Sequence, residues 1–158
     1  MMTVSRNGRK RMKVVFLDID GVLNSEASMM MHCQMVPEKV MMIRRLCEET
    51  GAKVVISSSW RGSSDINDST NRMVWFMLSK LGLNSGFLYG VTGDHTSHRG
   101  SEIEQWLLEH DYVHSYVIID DDSDFHDYQQ KSFVNTDVQH GFTWRDYDKA
   151  LEILGREE

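Results

Sequence analysis

The chain has 158 residues, a formal net charge of −7, a hydrophobic fraction of 41% and a charged fraction of 26%. These values are ordinary for one globular domain, and no apolar run approaches the length of a membrane span, which predicts a cytoplasmic protein without a membrane partner. The negative net charge disfavours strong electrostatic binding to long nucleic acid, although the chain could still carry local basic patches.

The first twelve residues are polar and basic, and no apolar segment behind them could serve as a secretory signal. We expect residues 1–12 to form a flexible arm and residues 13–158 to form a single domain. Cys33 and Cys47 form no Cys-x-x-Cys motif, which indicates reduced, structural thiols and neither a disulfide framework nor a zinc knuckle.

Residues 13–17 are almost all apolar and β-prone, which is typical of a strand buried on both faces of a parallel sheet. Asp18, Asp20 and Gly21 follow this strand directly. This arrangement places two carboxylates and several free backbone N–H groups at the crevice where open α/β sheets bind their ligands, and the paired carboxylates would attract a divalent cation. The alternative is that the two acids only cap a turn, as Asp often does.

After this strand the chain predicts alternating helices and strands. Residues 24–36 have no clear period and are expected to form a loop or short flap beside the site. Pro37 favours the start of a helix, and Gly51 favours its end. The remaining helices are predicted over 72–81, 101–110 and 143–154, and the remaining strands over 52–56, 87–91, 116–119 and 132–134.

The order of these elements indicates the fold class. A strand, helix, strand order with short connections implies right-handed parallel crossovers. We therefore predict a three-layer α/β/α, Rossmann-like sandwich around a mostly parallel five-stranded sheet. Within it, the helix over 72–81 should turn most of its large apolar side chains, including Met73 and Phe76, towards the core.

Three of the predicted strands end in polar residues that can take part in chemistry. Asp18 and Asp20 follow the first strand, Ser57 follows the second, and Asp120 and Asp121 follow the fourth. Because the carboxyl ends of parallel strands lie at one edge of a sheet, these residues should converge into a single site.

The residue types at this edge suit phosphoryl transfer. Asp18 could attack phosphorus to give an aspartyl-phosphate, and Asp20 could protonate the leaving oxygen and later deprotonate water. Mg²⁺ held by carboxylates would reduce the repulsion between nucleophile and substrate. Ser57 could hydrogen-bond the transferring group, and Arg99, just before the helix over 101–110, is our candidate for the cation that neutralises its remaining charge.

Two features of the predicted loop before that helix have alternatives. Arg99 could be a solvated surface residue, although the helix dipole makes a helix start a poor place for a structural cation. His95 and His98 have the spacing of metal ligands, but they lack a third ligand nearby, which favours solvated histidines over a zinc site.

Four segments resemble, in order, the four motifs of the haloacid dehalogenase-like (HAD) superfamily. They are Asp18-Ile19-Asp20-Gly21-Val22, Ser57 after Val54-Val55-Ile56, Arg99, and residues 116–121. More narrowly, the chain resembles the HAD domain found in Swiss Army Knife RNA repair proteins. That likeness lies in SSSWR at 57–61, Arg99-Gly100-x-Glu102-Ile103-x-x-Trp106-Leu107, IIDDDSD at 118–124, and Gly-Phe-Thr at 141–143.

The resemblance implies an Mg²⁺-dependent phosphatase with Asp18 as the nucleophile and Asp20 as the general acid and base. In the superfamily the metal is held by the first Asp, the backbone carbonyl of the second and an acid of motif IV. The resemblance therefore implies Asp18, Asp20 and Asp121 as metal ligands, with Asp120 beside them. Two further acids in the same run leave the motif IV ligand open, namely Asp122 and Asp124.

The resemblance also implies a phosphate site made by Ser57, Arg99 and Gly21. Arg99 stands where the superfamily more often has Lys, a departure that preserves charge but alters geometry.

No inserted cap domain is visible between the motifs, and capless members of the superfamily often act on large substrates, as in phosphatases of polynucleotide ends. Ser58, Trp60 and Arg61 are candidates for the substrate rim, where Trp60 could stack on a base and Arg61 could pair with phosphate. Equally, Trp60 could fill the core and Arg61 could form a structural ion pair.

These features predict a phosphatase that acts on a nucleic-acid end, such as an RNA or DNA 3′ phosphate, or on a nucleotide. One alternative is a phosphatase of small metabolites or mononucleotides, which the acidic balance slightly favours. The other is an HAD-like binding module that has lost activity, and the intact Asp18, Asp20, Ser57 and motif IV count against it.

Overall fold

The computed structural model describes residues 10–58, 60, 65, 67–93 and 98–155. Most of the predicted N-terminal arm, residues 1–9, lies outside the described residues. None of the helices in the described ranges has the length and apolar character needed to cross a membrane.

The core of the fold is a parallel sheet. Its strands are β1 (Met12–Leu17), β2 (Lys53–Ile56), β3 (Leu88–Val91), β4 (Val113–Asp120) and β5 (Phe133–Asn135). They lie in the order β3-β2-β1-β4-β5, and every pairing is parallel. The predicted sheet is therefore confirmed, with β1 at its centre and all five carboxyl ends at one edge.

Helices cover both faces of this sheet. They are α1 (Glu26–Met30), α2 (Pro37–Thr50), α3 (Ser69–Lys80), α4 (Arg99–Glu109) and α5 (Trp144–Gly155), and a 3₁₀ helix spans Asp127–Ser132. Apolar residues of α2, α3 and α5 pack on one face, and those of α4 pack on the other. The three-layer prediction is thus confirmed. The predicted loop over 24–36 instead contains α1, whose start is fixed by the Ser25 side chain accepting from Ser28 N.

Most of the large apolar side chains predicted to face the core from α3 do so, since Leu78 is buried and Trp75, Met77 and Leu81 pack against the core, but two of them do not. Met73 and Phe76 are 59% and 62% exposed, whereas Val74 and Leu78 are buried. Asn71 completes a single buried stripe with Val74 and Leu78. Met73 and Phe76 lie on the side of the helix away from this stripe, which explains why they face solvent although they are apolar.

The two cysteines are free and differ in burial, which leads to a testable difference in reactivity. Burial raises the pKa of the Cys47 thiol to about 12, because the thiolate is disfavoured in apolar surroundings. Cys33 is half-buried. We expect a thiol reagent at mildly alkaline pH to label Cys33 in the folded protein and Cys47 only after unfolding, as counted by mass spectrometry. Rapid double labelling of the folded protein would contradict this expectation.

Candidate active site

Polar side chains from three neighbouring strands meet at the carboxyl edge of the sheet. Asp18 follows β1, and its N–H donates to Ile119 O of β4 at 3.1 Å. Ser57 follows β2, and its N–H donates to Leu17 O of β1 at 2.9 Å. Both side chains therefore start from the same edge as Asp120, the last residue of β4.

Asp18, Asp120 and Asp121 form a group in which one carboxylate oxygen of each residue lies within 4.8 Å of the others. Asp18 and Asp120 are 5% and 1% exposed. Burial, followed by repulsion from Asp120, raises the pKa of Asp18 to about 8. Burial also raises the pKa of Asp120 to about 6. Ionised carboxylates this close and this buried need positive charge beside them.

Arg99 brings a positive charge to this group. Its Nη1 atom lies 3.1 Å from Asp18 Oδ1 and 2.8 Å from Asp120 Oδ2. The same atom donates to Ser57 O at 2.9 Å. Arg99 is the first residue of α4, whereas the sequence placed it in the loop before the helix. It is therefore no solvated surface residue, because the start of α4 carries the guanidinium to the ends of the strands.

The first two serines after β2 have different surroundings. Ser57 is buried, and within the described ranges its Oγ atom has no hydrogen-bond partner. A buried hydroxyl without a partner is unfavourable, so a ligand oxygen that bonds it would stabilise this edge. Ser58 was predicted at the substrate rim but is fully buried, and its Oγ accepts from Trp60 N at 3.2 Å. Ser58 therefore supports the loop from inside.

Gly21 lies directly against Asp121. It has a φ of +78°, and a Cβ atom built on it would lie 2.4 Å from Asp121 Oδ2. Its N–H donates to Asn24 Oδ1 at 2.8 Å, and its carbonyl accepts from Thr136 Oγ1 at 2.7 Å. The N–H expected to bind phosphate is thus bonded within the protein. In this arrangement Gly21 instead leaves room for the Asp121 carboxylate.

The Asp20 carboxylate lies apart from the group of three acids. It is exposed, accepting from Trp60 Nε1 at 2.9 Å and from Asn24 Nδ2 at 3.0 Å. This placement leaves the carboxylate available for proton transfer. The superfamily resemblance implies a metal contact through the backbone carbonyl of Asp20, so the separate position of its side chain does not conflict with that contact.

Asn24 is a site residue that sequence reasoning missed. It is 2% exposed, accepts from Gly21 N, and donates to both Asp20 Oδ1 and Gln34 O. Asn24 therefore ties the acid-bearing turn to the segment before α2. A polar residue directly after Val22-Leu23 is a signal that could have found it, because buried amides are placed where they are bonded.

Of the predicted rim residues Trp60 and Arg61, only Trp60 is among the described residues. Trp60 is half-buried, with its ring packed against the core and its Nε1 atom bonded to Asp20. Trp60 therefore fills part of the core, as the alternative predicted, and it also contacts Asp20, which the sequence did not predict. Arg61 lies outside the described residues, so its pairing with phosphate stays a prediction.

The two further acids after β4, Asp122 and Asp124, do not belong to the group of three acids. Asp124 Oδ1 lies 2.8 Å from His98 Nε2, and Asp122 is exposed. His98 also caps α4, since its Nδ1 accepts from Ser101 N at 3.0 Å. His95 lies outside the described residues, and no triad of possible metal ligands within those ranges includes His98. The arrangement leaves Asp120 and Asp121 as the motif IV acids near Asp18.

The group of three acids fits Mg²⁺ in the chemistry of its donors. Carboxylate oxygens are hard ligands of the kind Mg²⁺ prefers, and opposite ligands of this ion lie about 4.2 Å apart. One carboxylate oxygen of each acid lies within 4.8 Å of the other two, so no pair of them is far beyond that distance. Small side-chain rotations would therefore bring them to coordinating distance.

Comparison with known proteins agrees with this geometry. The family model described as the HAD domain in Swiss Army Knife RNA repair proteins matches residues 14–147, which span β1 to α5. Searches of curated proteins and of solved structures found no match. The match covers most of the chain, together with all three acids, Ser57 and Arg99. The chain therefore belongs to the family of HAD domains found in Swiss Army Knife RNA repair proteins.

Proposed function

We propose that the protein is an Mg²⁺-dependent phosphatase that hydrolyses phosphomonoesters through an aspartyl-phosphate on Asp18, at nucleic-acid ends or on nucleotides. The observation that carries this proposal is the meeting of Asp18 with Asp120, Asp121 and Arg99 beside the Ser57 hydroxyl, which has no partner among the described residues. A carboxylate nucleophile, a set of oxygen ligands and a fixed cation are the parts that phosphoryl transfer requires.

The proposed reaction begins with Asp18. One Oδ atom attacks phosphorus, the bond from phosphorus to the ester oxygen breaks, and Asp20 gives its proton to that oxygen. Asp20 then takes a proton from water as the water oxygen attacks phosphorus, and the bond to Asp18 breaks to release inorganic phosphate. Arg99 and the Ser57 hydroxyl would bind the non-bridging oxygens throughout.

The cofactor would act on the nucleophile as well as on the substrate. Mg²⁺ held by Asp18, Asp121 and the Asp20 carbonyl would offset the charge of the phosphate and favour the ionised form of Asp18. The second effect matters because burial and Asp120 raise the pKa of Asp18 to about 8, while the reactive form is the carboxylate.

Contacts of Asp120 favour Asp121 as the motif IV ligand. Asp120 Oδ2 is paired with Arg99, and Asp120 Oδ1 accepts from Asp122 N at 2.9 Å. Both oxygens of Asp120 are thus bonded within the protein. We therefore assign the coordinating role to Asp121 and a role in fixing Arg99 to Asp120.

The open edge of the sheet supports a large substrate. Within the described ranges, the connections between β1, β2, β3 and β4 contain only the helices α1 to α4. A site without an inserted cap domain admits the end of a polymer, which favours a nucleic-acid terminus. The net charge of −7 supports a phosphatase of mononucleotides or small metabolites as the second candidate.

Phosphate release from a substrate panel tests the proposal. The panel contains 3′- and 5′-phosphorylated oligonucleotides and the matching mononucleotides, each with and without Mg²⁺. We expect Mg²⁺-dependent release that is fastest from an oligonucleotide end. Release from mononucleotides alone would support the second candidate. No release from any phosphoester would contradict both and support an inactive binding module.

Replacing Arg99 with Ala should chiefly raise KM. The change removes the guanidinium that lies between Asp18 and Asp120 and that we propose to bind phosphate oxygens. We expect an increase of about tenfold or more, since a hydrogen bond to a charged group contributes about 1.5–3 kcal/mol. Steady-state kinetics separates KM from kcat.

The matched control for this variant is Arg45→Ala. Arg45 pairs with Glu49 on an exposed face of α2, and neither residue belongs to the group of three acids. Its removal should leave both constants unchanged. If Arg99→Ala also left KM and kcat unchanged, Arg99 would have no part in the site.

A further inference from the structure

Asp20 is held by two donors from different parts of the chain. Trp60 Nε1 donates to Asp20 Oδ2 at 2.9 Å, and Asn24 Nδ2 donates to Asp20 Oδ1 at 3.0 Å. Bonding both oxygens of one carboxyl group fixes the plane of the group as well as its position. Without these bonds, an exposed Asp side chain would move between rotamers.

Both donors are themselves anchored. Asn24 is 2% exposed and is also bonded to Gly21 N and to Gln34 O. Trp60 packs its ring against the core, and its backbone N–H donates to Ser58 Oγ at 3.2 Å. Because neither donor is free to follow Asp20, the two together define one orientation of its carboxyl group.

We propose that Trp60 is a positioning residue for proton transfer by Asp20. This inference rests on the proposed function, in which Asp20 protonates the leaving oxygen. Each carboxyl oxygen has two lone-pair sites, so Asp20 can carry its proton at one site while the Trp60 N–H stays bonded at another. The proton passes to the leaving oxygen as its bond to phosphorus breaks, and this transfer depends on the orientation of the carboxyl group.

The loop after β2 thus contributes to two steps of the reaction. Ser57 presents its hydroxyl to the transferring group, and Trp60, three positions later, orients the acid for the leaving group. The indole uses its edge for this contact. Base stacking would use its face and is not needed for the positioning role.

The leaving group distinguishes positioning of an acid from a general structural effect. An alkyl ester such as a nucleoside 3′-phosphate needs a proton on its leaving oxygen, whereas 4-nitrophenolate leaves without one. Trp60→Phe keeps an aromatic ring but removes the N–H. We expect it to lower kcat/KM about tenfold for the alkyl ester and less than about twofold for 4-nitrophenyl phosphate, a fraction of the full effect of general acid catalysis.

Trp75→Phe is the matched control. Trp75 also packs beside the core, but in the described part of the chain its buried Nε1 atom has no hydrogen-bond partner. Removing this N–H should leave kcat/KM unchanged for both the alkyl ester and 4-nitrophenyl phosphate. If thermal melts show that Trp60→Phe does not fold, Trp60→Met removes the same donor with a flexible apolar side chain.

The outcomes separate this inference from the function on which it rests. An equal loss of kcat/KM for both esters, or no loss for either, would overturn the role of Trp60 and leave the phosphatase proposal standing. Turnover of neither ester by the unaltered protein would overturn the proposed function and the inference together. A loss confined to the alkyl ester in the Trp60 variant, with Trp75→Phe unchanged, would support both.

Discussion

Asp18→Asn is expected to abolish turnover while leaving the fold intact. The amide is nearly the same size as the carboxylate, but it is a far weaker nucleophile and cannot form the aspartyl-phosphate. We expect kcat to fall by more than about a thousandfold, the scale seen when a nucleophile is removed. Phosphate release with Mg²⁺ measures this loss, and circular dichroism checks the fold.

The Asp18→Asn substitution should not lower the stability of the metal-free protein. Asp18 is buried beside Asp120, and burial raises its pKa to about 8 because the charged form is disfavoured there. Asn cannot ionise and has nearly the same volume, so it avoids the cost of keeping an ionisable group in this buried place. We therefore expect the melting temperature of the metal-free variant to equal or exceed that of the original protein.

Asp122→Asn provides the matched control. Asp122 is an exposed acid in the run after β4, and it lies outside the group of acids that could share a metal. Its replacement changes the net charge by the same amount as Asp18→Asn and should leave turnover near the original rate. Near-original turnover by Asp18→Asn itself would show that the nucleophile is assigned wrongly.

Gly21→Ala should remove the response to Mg²⁺ although it alters no acid. The new Cβ atom would lie 2.4 Å from Asp121 Oδ2 and 2.7 Å from Asp121 Cβ. Both distances are well inside van der Waals contact. Because the crowding reaches Asp121 Cβ, rotation of the carboxylate alone cannot relieve it. We expect Asp121 to move away from Asp18 and kcat to fall about a hundredfold, on the scale of losing an electrostatic stabiliser.

Thermal unfolding across an Mg²⁺ titration measures the metal response directly. A ligand that binds only the folded state raises the melting temperature as its concentration rises. The original protein should show this increase, and Gly21→Ala should not. An undiminished increase in the variant would contradict the place that we assign to Asp121.

Gly51→Ala separates crowding from backbone strain. Gly51 has a φ of +77°, almost equal to the +78° of Gly21, but a Cβ atom there would meet nothing within 4 Å. Both variants therefore carry the left-handed penalty of about 1–2 kcal/mol. Only Gly21→Ala should also lose the Mg²⁺ response, because only its Cβ displaces an acid.

The order of the elements was predictable because helical and strand periods are local properties. The start of α2 at Pro37 and the strand before Asp18 were found from neighbouring residues alone. α1 was missed since five residues are too few to show a helical period. Met73 and Phe76 of α3 were wrongly assigned to the core because large apolar residues lie all around this helix, and only packing decides which of them are buried.

The sequence by itself determined that acids follow β1 and β4 and that parallel strands bring them to one edge, because short crossovers through helices force the strands to run the same way. Only the tertiary structure decided which donor meets which acid. Arg99 contacts Ser57 across 42 positions, and Trp60 contacts Asp20 across 40. No local spacing encodes these partners, since the start of α4 and the packing of the Trp60 ring on the core place the donors in space.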